Sequence, residues 1–227
     1  MMECLWCGQA IIPDITWTNL FMPEKPSPLC RVCEEQLDQL DGARCKQCSR
    51  RSDVEICLDC DWWNEHATRN TIEFNYSIFA YNPFIQEIIT KWKYRGDYVL
   101  GNIFQSYFQQ AFRNNFALLK KDLVIIPIPL SEERLFERGF NQAKRLAEFL
   151  PIETSDVLTR IHGEKQSKKT RTERLDSENP FFMKESLQKP AILVDDIYTT
   201  GTTLRHAASL LRDNGCPKVY TFTLIRG

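Results

Sequence analysis

Four C-x-x-C pairs within the first sixty residues restrict most strongly what this 227-residue chain can fold into. The eight cysteines are Cys4, Cys7, Cys30, Cys33, Cys45, Cys48, Cys57 and Cys60. Each pair can present two thiolates to one tetrahedral ion, so four pairs predict two sites for structural Zn²⁺. Sequential and interleaved combinations of the pairs would use the same residues, and both stay open at this level.

Disulfides and redox chemistry are the competing interpretations of these cysteines. The beginning of the chain lacks a basic segment followed by an apolar core, so we expect no secretory signal and no oxidising compartment. A redox dithiol would account for one C-x-x-C pair rather than four. Because four thiolates leave no open position on Zn²⁺, we expect the metal to hold residues 1–66 together as a double zinc-ribbon domain, without catalysing a reaction.

The balance of charge differs between the two parts of the chain. Residues 1–66 contain 12 acidic and 6 basic side chains, a net charge of −6, whereas the whole chain has a formal net charge of −1. The remainder therefore carries +5, and an anionic ligand is expected there. No apolar run approaches the roughly 18 residues that cross a bilayer, so we expect no transmembrane segment and a cytoplasmic protein.

Residues 67–227 alternate between strand and helix patterns. Strands are expected in 71–81, 122–129, 156–160, 191–196 and 218–225, and helices in 82–93, 98–118, 140–150 and 202–215. The segment HGEKQSKKTRTERLDSENP (162–180) has no periodicity and is expected to be a long mobile loop. This alternation predicts an α/β fold, with a mostly parallel sheet and flanking helices.

The stretch ILVDDIYTTGTTL (192–204) lies where a predicted strand gives way to a helix. Backbone N–H groups at the start of a helix, together with the positive end of its dipole, form a site for anions. Gly201 permits a close approach that a Cβ would block, and the neighbouring threonines add hydroxyl donors. No Lys or Arg lies between Lys189 and Arg205, so this loop is expected to bind a phosphate through dipoles rather than ion pairs.

Asp195 and Asp196 immediately precede this loop. They would repel a bare phosphate but are good acceptors for vicinal hydroxyls, so with the loop they predict a site for a ribose 5-phosphate group. The alternative, a helix cap followed by a turn, explains one aspartate but neither the pair nor the threonines. The missing G-K-[ST] excludes a Walker A loop, and the missing G-x-G excludes a Rossmann fingerprint.

A hydrophobic strand, two acids and the pattern x-x-T-T-G-x-T resemble the phosphoribosyl-diphosphate signature of type I phosphoribosyltransferases. The resemblance implies that the two aspartates hold the ribose hydroxyls and that Mg²⁺ accompanies the ligand. It also implies that the 5-phosphate lies among Tyr198, Thr199, Thr200, Gly201, Thr202 and Thr203. The family's diphosphate loop corresponds in position to residues 127–143, where Arg134 and Arg138 are expected near the diphosphate because a planar fork suits phosphate. For each arginine, an ion pair with a neighbouring glutamate is the alternative.

The order of motifs along nearly the whole chain is similar to that of the ComF family of late-competence proteins. These motifs are the cysteine pairs, KYRGD (93–97), P-I-P-L with E-R-G-F-N-Q-A, KQSKKTRTER (165–174) and VDDIYTTGTTL. The resemblance implies a role in natural transformation, in which single-stranded DNA is imported with a helicase-like protein, ComFA, at the membrane uptake machinery.

Two basic segments are candidates for contact with single-stranded DNA. Residues 159–174 contain six basic and two acidic side chains, and KWKYRGDY (91–98) interleaves cations with aromatic rings, as single-strand platforms do. The candidate residues are Lys93, Arg95, Lys165, Lys168, Lys169, Arg171 and Arg174. A solvated loop and a helix with a buried face are the alternatives. If the domain is catalytic, the loop predicted at 162–180 would close over the site during phosphoribosyl transfer to an unidentified nitrogenous base or nucleotide.

Overall fold

A computed structural model of the chain describes residues 2–12, 27–66, 71–94, 97–119, 123–161 and 179–227. The first part contains the antiparallel strands β1 (Met2–Glu3) and β2 (Ala10–Ile11) and the helices α1 (Arg31–Glu34) and α2 (Leu58–His66). The second part contains β3 (Asn75–Ala80), α3 (Pro83–Tyr94), a 3₁₀ helix (Tyr98–Phe104), α4 (Gln105–Phe116), a 3₁₀ turn (Ala117–Leu119) and β4 (Val124–Pro127). It continues with α5 (Glu132–Arg138), α6 (Gln142–Ala147), β5 (Leu158–Arg160), β6 (Phe181–Met183), β7 (Ala191–Tyr198), α7 (Thr202–Asp213) and β8 (Val219–Arg226).

The four longer strands form one parallel sheet in the order β3, β8, β7, β4. They are rich in β-branched and aromatic residues, and their side chains are buried on both faces, as expected where helices cover a parallel sheet. The sheet and its helices confirm the α/β fold predicted from the alternation of elements. β5 and β6 form a separate antiparallel pair.

Unequal pairing along β7 creates an opening at the carboxyl edge of the sheet. β4 pairs with β7 only as far as Pro127, opposite Val194, and the Ile128 N–H then donates to the Val194 carbonyl (2.9 Å). β8 stays paired with β7 as far as Tyr198, opposite Arg226. One side of β7 therefore loses its neighbouring strand just before Asp195, while the other side stays anchored.

The two faces of the sheet are covered by different helices. On one face, α3, α4 and α6 enclose an aromatic core in which the rings of Phe108 and Phe222 stack at a centroid distance of 4.0 Å. On the other face, α7 packs against β7 through Leu204, Ala207 and Leu211. The spacing of these residues gives α7 one apolar stripe, so its first turn is held at the carboxyl edge of the sheet.

The cysteine-rich part is joined to the sheet along β3. Gln39 forms an antiparallel bridge with Phe79, and the Leu40 N–H donates to the Ile78 carbonyl (2.8 Å). Leu37 belongs to the same apolar core as α3 and α4. This segment covers backbone donors and acceptors that an edge strand would otherwise expose.

Some elements differ from the sequence-based expectations. The helix predicted over 98–118 begins as a 3₁₀ helix, and α5 lies where a loop was expected. α5 has seven residues, too few for a clear periodic pattern, and is bounded by the N-cap Ser131 and by Gly139 at φ +76°. The loop predicted at 162–180 lies mostly outside the described residues. Among the residues that are described, no helix has both the length and the apolar character needed to cross a membrane.

Candidate functional site

The opening at the carboxyl edge of the sheet is a cleft of about 600 Å³. It lies between the end of β7, the loop that follows, the first turn of α7, and parts of α3, α5 and β5. All the residues predicted to contact phosphoribosyl diphosphate line it: Asp195, Asp196, Tyr198, Thr199, Thr200, Gly201, Thr202, Thr203, Arg134 and Arg138. The fold therefore brings the two predicted loops together at one place.

The two aspartates lie on β7 beyond its pairing with β4. Successive side chains of a strand point to opposite faces, so the two carboxylates diverge. Asp196 forms a largely buried ion pair with Lys93 of α3, and Asp195 accepts a hydrogen bond from the Asp196 N–H (2.9 Å).

Asp195 has an unusual affinity for a proton. Burial, and next the charge of Asp196, raise the pKa of Asp195 to about 7, although the backbone hydrogen bond and the charges of Lys93 and Arg160 oppose the rise. Asp195 is therefore a carboxyl group that exchanges its proton near neutral pH.

A glycine and a buried tyrosine hold the loop after β7 in one conformation. Gly201 has φ +82°, and a Cβ at this position would overlap the hydroxyl group of Tyr198, so glycine is required. Tyr198 is only 2% exposed and supports the loop rather than reaching far into the cleft. Thr200 Oγ1 lies 2.9 Å from Thr202 Oγ1 and accepts from the Thr202 N–H (3.4 Å). The loop thus ends at the N-terminus of α7, where backbone N–H groups and the helix dipole favour an anion.

Three guanidinium groups line another part of the cleft: those of Arg134, Arg138 and Arg160. Arg138 donates to Gln142 Oε1 (2.9 Å) and lies 5.6 Å from the centre of the Tyr94 ring. Burial, and next the charge of Arg134, lower the pKa of Arg160; the charge of Asp195 opposes this fall and that of Arg138 adds to it. Sequence reasoning did not place Arg160 in this site, although its position at the end of a predicted strand was the available signal.

One residue predicted to contact DNA lies within the described part of the chain. This residue, Lys93, is in the cleft and is paired with Asp196. Trp92, one of the rings in the candidate DNA segment KWKYRGDY (91–98), is fully buried beside Phe104 and Phe140, because it lies on the core face of α3, as the helix-face alternative predicts. The other predicted DNA contacts lie outside the described residues: Arg95, Lys165, Lys168, Lys169, Arg171 and Arg174.

The eight cysteines of the first part form two groups of four. The first group is Cys4, Cys7, Cys30 and Cys33, and the second is Cys45, Cys48, Cys57 and Cys60. This is the sequential arrangement of the pairs. Within each group the sulfur atoms all lie within 4.8 Å of one another, and in the second group the Cys57 N–H donates to Cys45 Sγ (3.4 Å). Four thiolates at this separation fit a tetrahedral ion, so each group can hold a metal ion.

Comparison with known proteins gives a family for the second part of the chain and relatives that match nearly all of it. Residues 105–227 match the family described as "Phosphoribosyl transferase domain". The chain is 40% identical to "Competence protein ComFC" of Bacillus subtilis (strain 168), over 98% of this chain and 94% of that protein. It is 32% identical to "Competence protein ComFC" of Streptococcus pneumoniae (strain ATCC BAA-255 / R6), over 99% and 100% respectively. It is also 31% identical to "DNA utilization protein YhgH" of Escherichia coli O157:H7, over 45% and 48%.

Replacing Asp195 by Asn should stabilise the unliganded protein at alkaline pH. Folding raises the pKa of Asp195 from its ordinary value of 3.8 to about 7, so the folded state binds more protons than the unfolded state in this window. Stability contributed by this group is therefore lost as the pH rises from 3.8 to about 7. A neutral amide removes that loss, and at about 1.4 kcal/mol per pKa unit we expect a gain of roughly 4 kcal/mol in the free energy of unfolding above this window.

Urea unfolding of Asp195→Asn and the wild type across this pH range measures the effect. The gain should shrink toward zero at the acidic end, where the carboxyl group is protonated in both states. Asp156→Asn, at a carboxylate that pairs with Lys144 on the surface, is the matched control. A gain that does not vary with pH would show that Asp195 does not titrate as described.

Proposed function

Since the chain belongs to the ComFC family of competence proteins and carries a phosphoribosyl transferase domain, we propose that it handles single-stranded DNA during natural transformation and binds phosphoribosyl diphosphate with Mg²⁺ in the cleft. The relatives named as competence and DNA utilization proteins support the first half of this proposal. The helicase-like protein ComFA is the proposed partner. The protein would then act in the cytoplasm, beside the membrane machinery for DNA uptake.

The ligand proposal depends on one observation: the cleft has three regions that differ in charge. The loop at the start of α7 suits a phosphate, the aspartates suit a diol, and the three guanidinium groups suit a diphosphate. Phosphoribosyl diphosphate contains these three groups in one molecule, whereas a lone phosphate would leave two of the three regions without a partner. Carboxylate and phosphate oxygens are the ligands that Mg²⁺ prefers, so the ion would bind beside the diphosphate.

Replacing Asp195 and Asp196 together by Asn should remove most of the affinity for phosphoribosyl diphosphate. Each lost charged hydrogen bond costs roughly 1.5–3 kcal/mol, so the Kd should rise by about two orders of magnitude or more. Asparagine preserves the shape of both side chains, so that the buried Lys93 is not left beside an empty space. Isothermal titration calorimetry with phosphoribosyl diphosphate and Mg²⁺ measures the change.

The matched control for this experiment is the double variant Asp38→Asn, Asp156→Asn. It removes two carboxylates that pair with Arg51 and Lys144 outside the cleft. We expect this control to bind like the wild type. Equal heats from the wild type and the cleft variant, or no heat from the wild type, would contradict the ligand proposal.

Transfer of the phosphoribosyl group is a second candidate function, which the raised pKa of Asp195 favours. A carboxyl group with a pKa near 7 can accept a proton from an attacking nitrogen nucleophile at neutral pH. In this reaction a bond forms between ribose C1 and the acceptor nitrogen, the bond from C1 to the diphosphate oxygen breaks, and pyrophosphate leaves. Pyrophosphate release that depends on an added nitrogenous base or nucleotide would distinguish transfer from ligand binding alone.

We propose Zn²⁺ as the ion of both cysteine groups, with residues 1–66 as the zinc-ribbon domain and 67–227 as the phosphoribosyltransferase-like domain. Four thiolates are a soft and closed donor set, which suits structural Zn²⁺. We predict two equivalents of Zn²⁺ per chain and loss of the fold of the cysteine-rich part on chelation, because metal binding supplies much of the folding free energy of so short a segment. Elemental analysis and circular dichroism measure both. Absence of zinc, or native disulfides among these cysteines, would contradict this assignment.

The basic segment between β5 and β6 is proposed to contact single-stranded DNA. It lies outside the described residues, and the proposal rests on its composition and on its start beside Arg160, at the rim of the cleft. Replacing Lys165, Lys168, Lys169 and Arg171 by Ala should weaken binding. Because each cation releases counterions from the strand, the slope of log K against log salt should become less steep by about 3.

Fluorescence anisotropy with a labelled oligonucleotide at several salt concentrations measures this effect. The matched control replaces four exposed cations elsewhere, Arg113, Lys184, Lys189 and Lys218, and so changes the net charge equally. If both variants lose affinity to the same extent, net charge rather than this segment accounts for binding. Unchanged affinity in the loop variant would exclude the segment as a contact.

A further inference from the structure

Arg226 connects the second cysteine group to the loop of the cleft. It is the last residue of β8 and is 5% exposed. Its Nη1 donates to the carbonyl oxygens of Tyr198 (3.2 Å) and Thr199 (2.9 Å), and its Nη2 donates to Cys48 Sγ (3.7 Å). One guanidinium group therefore contacts both a thiol of the cysteine group and the backbone of the loop.

Trp63 makes a second connection of the same kind. Its Nε1 donates to the Thr200 carbonyl (3.0 Å), and its ring is covered by the Arg205 guanidinium at 4.6 Å. Trp63 lies on α2, the helix that also contains Cys60. Residues three apart on a helix lie on the same face, so the position of Trp63 depends on how Cys60 is held.

These contacts determine the direction of the loop's N–H groups. In a trans peptide the carbonyl and the N–H of the next residue point in opposite directions. Arg226 and Trp63 hold three successive carbonyls, those of 198, 199 and 200, on the side of the cysteine group. The N–H groups of residues 199, 200 and 201 are thereby turned to the other side.

The charge of an occupied cysteine group matches this arrangement. Four thiolates around Zn²⁺ carry a net charge of about −2, which supplies the counter-charge that a buried guanidinium requires. Without the ion, the four sulfur atoms lose the centre that holds them together, and the anchor for Arg226 weakens.

We propose that Arg226 and Trp63 are positioning residues that couple metal occupancy of the second cysteine group to the affinity of the loop for a sugar phosphate. This inference rests on the proposed binding of phosphoribosyl diphosphate. Coupling between two sites is reciprocal, so a ligand on the loop must also increase the affinity of the second cysteine group for its metal ion. The first cysteine group lies beside Trp6 and Phe84 at the start of α3 and serves as an internal comparison.

The first test compares ligand affinity among variants of the full chain. Arg226→Met and Trp63→Phe should each weaken binding of phosphoribosyl diphosphate with Mg²⁺ by tenfold or more in calorimetry, with two equivalents of zinc retained. Trp63→Phe removes the indole N–H but keeps a ring beneath Arg205, so it remains informative if Arg226→Met does not fold. Arg51→Met is the control, because Arg51 also donates to a carbonyl, that of Gln39, and neither residue lines the cleft.

The second test measures the coupling in the reverse direction. The double variant Cys7→Ser, Cys30→Ser leaves only two thiolates in the first group, so competition for zinc with a chromogenic chelator at equilibrium then reports the second group. Saturating phosphoribosyl diphosphate should raise the zinc affinity of the second group severalfold, and Arg226→Met should abolish this rise. A purely structural role for Arg226 would change the melting temperature without making the zinc affinity depend on the ligand.

The outcomes separate this inference from the proposal on which it rests. If the wild type binds the ligand and Arg226→Met and Trp63→Phe bind equally well, the coupling is overturned while the proposed ligand stands. If the ligand leaves the zinc affinity of the second group unchanged, the coupling is likewise overturned. If the wild type gives no heat, the proposed ligand fails and the inference fails with it.

Discussion

The early end of β4 beside β7 is the constraint on which the cleft depends. Pro127 and Pro129 lie at this end, and proline cannot donate the hydrogen bonds that would extend a strand. β8 remains paired with β7 for four residues after Val194, up to Tyr198, and keeps the aspartates in place. If β4 continued, its backbone would close this side of β7. Because β4 ends before β8 does, the carboxyl edge of the sheet has room for a ligand beside β7.

The second constraint is the cost of placing two carboxylates at a buried strand end. Lys93 offsets the charge of Asp196 and fixes α3 against the sheet at this point. Burial, and next the charge of Asp196, raise the pKa of Asp195 to about 7. Adjacent residues of the same type thus acquire different properties, because alternation along the strand gives them different neighbours. The unliganded protein bears this cost, as expected where a site is arranged for a ligand rather than for stability.

The sequence alone predicts those features of the site that depend on neighbouring residues. It does not predict those that depend on contacts between distant parts of the chain. The loop from Asp195 to Thr203 is contiguous, so its residue types indicate a strand end, a turn and a helix start directly. Arg160 and Lys93 enter the cleft only through the topology, and no spacing in the sequence indicates that either faces Asp195 or Asp196. For Trp92, the sequence allowed two interpretations, a ring that contacts DNA or a residue on the buried face of a helix. The structure supports the buried face. The contacts of Arg226 with Cys48 cross 178 residues of sequence, and no local pattern could have indicated them.

The position of the cysteine-rich part has a physical consequence for the cleft. A module attached by a free linker could hold its metal ions equally well, but its state could not influence a loop more than a hundred residues away. Here the module is paired to β3 through Gln39, shares the apolar core through Leu37, and reaches the loop backbone through Trp63. α2 is short and Cys60 is its buried residue, so its orientation depends on the cysteine group to which Cys57 and Cys60, at its start, belong. α2, whose Trp63 holds the Thr200 carbonyl, is therefore a helix whose position depends on the second cysteine group. The cysteine-rich part thus helps to position the loop of the cleft.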